Sequence, residues 1–128
     1  EDGVRVFLET EHFVAIVPYA AFTPFSFTIL PRRHMPTITE MTDAEAADLA
    51  RVLRRALAKL YHGLGDPDFN YVVRTAPLEY YGVKYYHWYV SVIPRLTKMA
   101  GFELGSGMFI NVALPEENAA FLRGVKVD

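Results

Sequence analysis

Short apolar runs at residues 4–8 (VRVFL) and 12–18 (HFVAIVP) predict a pair of strands joined by a polar turn at Glu9 to Glu11. A loop with two prolines follows, and SFTIL at 26–30 predicts a third strand, stopped by Pro31. Thr42-Asp43-Ala44-Glu45 reads as a capping box, with Thr42 capping a helix and Glu45 reaching back. Beyond it, Leu49, Val52, Leu53, Ala56, Leu57, Leu60 and Tyr61 recur at three and four. That spacing predicts a helix over 43–62, closed near Gly63 and Gly65.

FNYVVRT (69–75) predicts a further strand, 77–84 a loop, and 85–93 a long strand. The glycine-punctuated run GFELGSGMFIN (101–111) predicts turns with a short strand at its end. Pro115 suits the first turn of a final helix carrying Ala119, Ala120, Phe121 and Leu122. No internal repeat and no low-complexity segment interrupts this order. The expected fold is therefore α+β: a mostly antiparallel sheet, one long helix packed across it, and a short C-terminal helix.

At 128 residues the chain has the size of one domain, and its 52% hydrophobic content with 9 Phe and 8 Tyr favours a packed core over disorder. A net charge of −2 gives no basic field that would invite nucleic acid. Arg51, Arg54, Arg55 and Lys59 cluster, but at helical spacing, and read as a solvated helix face. The absence of cysteine excludes disulfides, thiolate zinc sites and cysteine nucleophiles, and is compatible with a reducing, cytoplasmic setting. No apolar run reaches the length of a membrane span, so no membrane partner is expected. The chain begins at Glu1 without methionine, as a processed protein, a trimmed one, or a domain cut from something longer would.

Candidate chemistry concentrates in YYHWYVSVIPR (85–95). Side chains of a strand alternate faces, so Tyr85, His87, Tyr89, Ser91 and Ile93 share one face and Tyr86, Trp88, Val90 and Val92 the other. The second set reads as core; the first suits a pocket or an interface. On spacing alone, His87 reads better as a hydrogen-bonded, partly buried histidine than as a catalyst, because no orienting partner stands nearby in sequence. His12, His34, His62 and His87 are scattered, with no metal-ligand spacing between any two. Arg32, Arg33 and His34 in LPRRHMP (30–36) have the chemistry to hold a phosphate, or are an exposed turn. GFELGSG lacks the Gly-Lys-Ser/Thr ending of a phosphate-binding loop, so its glycines allow close backbone approach to a ligand or simply make turns.

Read together, FTILPRRHMPTITEMTDAEAADLARVLRRALAKLY, NYVVRTAP, YHWYVSVIPRLTKMAGFELGSGMFIN and PEENAAFLR resemble, in order, the C-terminal half of galactose-1-phosphate uridylyltransferases. These are members of the histidine-triad (HIT) superfamily, and the resemblance covers about residues 5 to 124. It implies a HIT-like fold for 1–128 and a role in exchange between UDP-glucose and galactose 1-phosphate. In that family a histidine on the N-terminal half attacks the α-phosphate and carries the uridylyl group covalently. The C-terminal half lacks this nucleophile, supplies histidines to a structural metal in many members, and presents a substrate-contacting loop, often across a dimer interface.

Carried over residue by residue, the metal histidine before an Ala-Pro pair falls at Arg74. Of the two in the long strand, one matches His87 and the other falls at Tyr89. A guanidinium and a phenol are poor metal ligands, so no metal and no cofactor is expected; and because Tyr89 falls at the position equivalent to the HIT nucleophile, the resemblance implies no catalytic residue in this chain. His87, Tyr89 and Arg74 are then relics on the sheet face, with His87 bonded to Tyr89 or a neighbouring loop. The substrate-contacting loop maps to Lys98–Glu103, where Gly101, Phe102 and Glu103 match the family's Gly-aromatic-Glu and Asn111 lies close by in sequence. Lys98, Gly101, Phe102, Glu103 and Asn111 are the expected contacts to a nucleotide sugar or sugar phosphate. The implied macromolecular partner is an N-terminal HIT-like half or a second copy in a homodimer. The alternative is a stand-alone, degenerate HIT-like domain that binds a nucleotide or sugar phosphate, or dimerises, without chemistry.

Overall fold

The computed structural model describes residues 3–80 and 82–128; Glu1, and Tyr81 in the expected 77–84 loop, lie outside the described residues. Among the described residues five strands pair antiparallel: β1 (Val6–Glu9), β2 (Phe13–Ile16), β3 (Phe27–Pro31), β4 (Phe69–Arg74) and β5 (Tyr89–Pro94). Their order across the sheet is β1-β2-β3-β5-β4, so the long excursion between β3 and β4 places β5 inside the sheet and leaves β4 at its edge. That excursion holds α1 (Asp43–Leu64); α2 (Gly101–Ser106) and α3 (Pro115–Gly124) follow β5.

The predicted capping box forms: Glu45 N–H donates to Thr42 Oγ1 at 3.2 Å, and Thr42 N–H to Glu45 Oε2 at 2.8 Å. Helix α1 runs two residues past its expected end and stops at Gly65, whose φ of 75° is left-handed and suits glycine. Val52, Ala56 and Leu60 form its buried stripe. They meet Phe13, Ile29 and Trp88 in one core, where Trp88 stands edge-on to Phe13 with centroids 6.0 Å apart. Burying a side chain the size of Val52 or Leu60 contributes about 1.5–3 kcal/mol. Lys59 departs from the expected solvated face: it is buried, and its ammonium donates to the carbonyls of Leu122 (2.9 Å) and Val125 at the end of α3.

Two further expectations are corrected. The strand expected over 85–93 begins only at Tyr89, because the segment after β3 wedges beside it. Met35 is fully buried there; its carbonyl takes the N–H of Trp88 (3.2 Å) and the carbonyl of Pro36 takes that of Ala76 (3.0 Å), so the ladder cannot extend. The run 101–111 forms no terminal strand; its first half is α2 instead, capped by a bond from Ala100 N–H to Glu103 Oε2 (3.1 Å) and ended by left-handed Gly107.

β4 is exposed along its whole length. Helix α1 packs on β1 and β2, and α3 on β1, so the helix layer does not reach the far edge. Register pairs Phe69 with Pro94, Tyr71 with Val92 and Val73 with Val90, which puts these apolar side chains on the core side of the sheet without a cover.

Candidate functional site

His87 sits just before β5, and its ring is held at both nitrogens. Nε2 lies 2.8 Å from the carbonyl of Pro31, and Nδ1 lies 3.1 Å from Nδ1 of His34. A carbonyl only accepts, so Nε2 carries the proton and, in the neutral ring, Nδ1 accepts from His34. The partners are the end of β3 and the loop that follows it, not Tyr89. His34 was out of reach of local sequence reasoning, being 53 residues away. The adjacency of β3 and β5 is what joins them.

The other members of the 30–36 turn point elsewhere. Arg32 pairs with Glu9 and also donates from Nε to the carbonyl of Thr10 (3.1 Å), bracing the β1–β2 turn. Arg33 forks onto Glu45 at 2.7 and 2.9 Å and donates to the Glu40 carbonyl at 2.9 Å. The hydrogen bond from Arg33, helped by the one from Thr42 N–H, lowers the buried Glu45 carboxyl to about 2. Arg32, Arg33 and His34 therefore do not converge on one phosphate; each is committed to a different element.

After β5 the chain leaves the body as an arm. Phe102, Leu104, Met108, Ile110 and Val112 are each more than half exposed, an apolar surface too dense for an isolated turn. Lys98 lines a shallow cavity of about 460 Å³ with Asp68, Arg95 and Thr97. Glu103 spends Oε2 on the Ala100 cap and keeps Oε1 free of protein partners among the described residues. The Ser106 hydroxyl donates to the Phe102 carbonyl at 2.6 Å and so braces α2 from within. Asn111 is tied away from this group: its amide donates to the Ala21 carbonyl (2.9 Å) and its oxygen accepts from Ala113 N–H (3.0 Å). The structure thus keeps Gly101, Phe102 and Glu103 together on α2, with Lys98 at its approach, and uses Asn111 as a clip between the arm and the loop after β2.

Arg74 and Tyr89 face each other in register across β4 and β5. The donor set does not fit the metal that the resemblance raised. One imidazole nitrogen of His87 is a donor to a carbonyl and the other is engaged by His34, and no group of three metal-ligating side chains exists among the described residues. A fixed guanidinium at Arg74 would further repel a cation.

The sheet with α1 across it superposes on a histidine triad family protein from Mycobacterium smegmatis with a TM-score of 0.64, at 22% identity over 92% of this chain and 80% of that one. That likeness is one of fold: the domain has a HIT-like architecture. The family described as galactose-1-phosphate uridyl transferase, C-terminal domain, matches residues 1–124, and the chain belongs to it. An ADP-glucose phosphorylase from Arabidopsis thaliana is 36% identical over 93% of this chain and 34% of its own length. A crystal structure of an ADP-glucose phosphorylase from that plant, with bound ADP-glucose, superposes with a TM-score of 0.91 over 96% of this chain and 41% of that one. A galactose-1-phosphate uridylyltransferase from Thermotoga maritima is 37% identical over 100% of this chain and 43% of its own length. The chain spans less than half the length of these relatives.

Proposed function

We propose that this chain is the half of a nucleotidyl-transferring enzyme that shapes a sugar-phosphate site without supplying the nucleophile. The observation that carries the reading is the arm: α2 leaves the body with Phe102 exposed and one oxygen of Glu103 without a partner among the described residues, a hydrophobic and anionic tip turned to solvent. Family membership supports hexose 1-phosphates and nucleotide sugars as the substrates. UDP-glucose with galactose 1-phosphate is the first pair to test, and ADP-glucose, bound in the plant relative, is the second. The nucleophilic histidine then belongs to an N-terminal HIT-like half, seated along the uncovered edge and face of β4. The domain works without a metal in this reading, as the protonated Nε2 of His87 and the guanidinium of Arg74 suggest.

In such a site Glu103 Oε1 accepts from sugar hydroxyls, and Phe102 excludes water from the reacting phosphate. A non-catalytic binding domain is the second reading, favoured by Tyr89 in the strand and by a His87 with neither nitrogen to spare. Glu103→Gln in the full-length protein separates the two. The amide oxygen keeps the bond to Ala100 N–H while the charge is lost. The expected result is at least a tenfold fall in kcat/KM for nucleotidyl exchange at an unchanged unfolding midpoint. Unchanged kinetics would remove the arm from the site, and absence of exchange in the unmodified protein would leave the binding reading.

A further inference from the structure

The arm between β5 and α3 is fastened at both ends and exposed between them. At its start, Arg95 N–H donates to the Asp68 carbonyl at 2.7 Å, just before β4. At its return, the Asn111 amide donates to the Ala21 carbonyl (2.9 Å), and Asn111 Oδ1 accepts from Ala113 N–H (3.0 Å). Close by, the Phe109 ring meets Phe22 of the same loop with centroids 5.5 Å apart. Between these points Phe102, Leu104 and Met108 are each more than half exposed, so burial does little to hold α2 in place.

The loop that receives the arm is itself stiff. The guanidinium of Arg5 lies over the Tyr19 ring, 5.6 Å from its centre. Thr23 and Ser26 share a hydroxyl–hydroxyl bond of 2.5 Å. Phe25 adopts a φ of 61°, uncommon for an aromatic residue, and packs edge-on against Phe121 of α3 at 5.4 Å. A left-handed backbone at a bulky residue is strained and persists only where the surroundings impose it. Ala21 therefore offers its carbonyl from a fixed place.

We propose that Asn111 is a positioning residue for Glu103: by tying the arm's return to this stiff loop, it sets the reach at which Glu103 Oε1 is presented. The inference rests on the sugar-binding role proposed above for Glu103. It replaces the direct ligand contact expected of Asn111 from sequence, since its amide nitrogen and oxygen are both engaged within the protein. Without the tie the arm samples several positions, and the cost of ordering it falls on substrate binding. Apparent affinity then drops by the fraction of time the competent position is occupied, while the bound geometry, once reached, is the same. The loss therefore belongs in KM and not in kcat.

The test is steady-state nucleotidyl exchange by the full-length protein carrying Asn111→Ala or Asn111→Asp. At neutral pH Asn111→Asp keeps the acceptor for Ala113 N–H and loses the donor to Ala21. Both variants should raise KM for the sugar substrate about tenfold, with kcat within about twofold of the unmodified protein. In a Glu103→Gln background, Asn111→Ala should cost less than about threefold, because the group it positions is already altered. Unchanged KM in either variant would overturn the inference. So would a fall in kcat at unchanged KM, the mark of lost folded protein, or an undiminished cost in the Glu103→Gln background, the mark of direct contact. Unchanged kinetics in Glu103→Gln itself would instead overturn the sugar-binding reading, and this inference with it.

Discussion

The Glu45 carboxylate receives a fork of two bonds from Arg33 and a third from Thr42 N–H, while its own N–H returns a bond to the Thr42 hydroxyl. This one side chain therefore fixes both the start of α1 and the turn that carries His34. Its folded carboxyl lies at about 2, below the ordinary 4.5, so folding favours the ionised form. The stabilisation is complete above pH 4.5 and is lost as the pH falls through the window down to about 2. Glu45→Gln is expected to lower the denaturation midpoint clearly at pH 7, with the gap from the unmodified protein shrinking as pH approaches 2. A gap independent of pH would show that charge is not what Glu45 contributes. The box itself was readable because Thr42 and Glu45 stand three apart before an apolar stripe. Arg33 was not readable, since nothing local tells a phosphate-binding arginine from one that reaches twelve residues to a helix cap.

Among the elements, α3 depends on a cation that the sequence disguises. Lys59 stands in a run of basic residues at helical spacing, yet it is the member whose stem lies against the core and whose ammonium reaches the last carbonyls of α3. Burial, and then the charge of Arg55, lowers its pKa, while bonds to Leu122, Arg123 and Val125 carbonyls hold the charged end. Lys59→Met keeps the stem and removes those bonds. It should cost about 1.5–3 kcal/mol in urea denaturation and speed amide exchange near residue 125; unchanged exchange there would contradict the cap. Element by element, strong periodicity was enough for α1, and Pro115 for the start of α3. It failed at 101–111, where three glycines argued for turns. The signals for α2 were present in Glu103, placed to accept from Ala100, and in Gly107, a left-handed stop. The late start of β5 was invisible because Met35, far upstream, takes the hydrogen bond of Trp88.

At the scale of the molecule, the helix layer covers one side of the sheet and stops short of β4. Phe69, Tyr71 and Val73 lie 42%, 64% and 38% exposed on a strand whose outer edge has no partner among the described residues. An open edge beside an apolar face is costly unless another chain or domain covers it. Tyr71→Lys, at the most exposed of the three, should leave this domain folded and abolish association along β4, read as a fall in mass by light scattering or as separation of the halves on mild proteolysis. Association at unchanged strength would move the interface elsewhere. The sequence pointed to the family and to the arm residues, but the open edge emerged only from sheet order, which places β5 between β3 and β4.

In the proposed function the covalent chemistry lies outside these 128 residues while the arm serves it. The most direct measurement is peptide mapping by mass spectrometry after acid-free quenching of the full-length protein with UDP-glucose or ADP-glucose alone. A nucleotidyl adduct on a histidine outside this domain is expected, with less adduct in Glu103→Gln. An adduct on His34 or His87, or none with either sugar nucleotide, would contradict it.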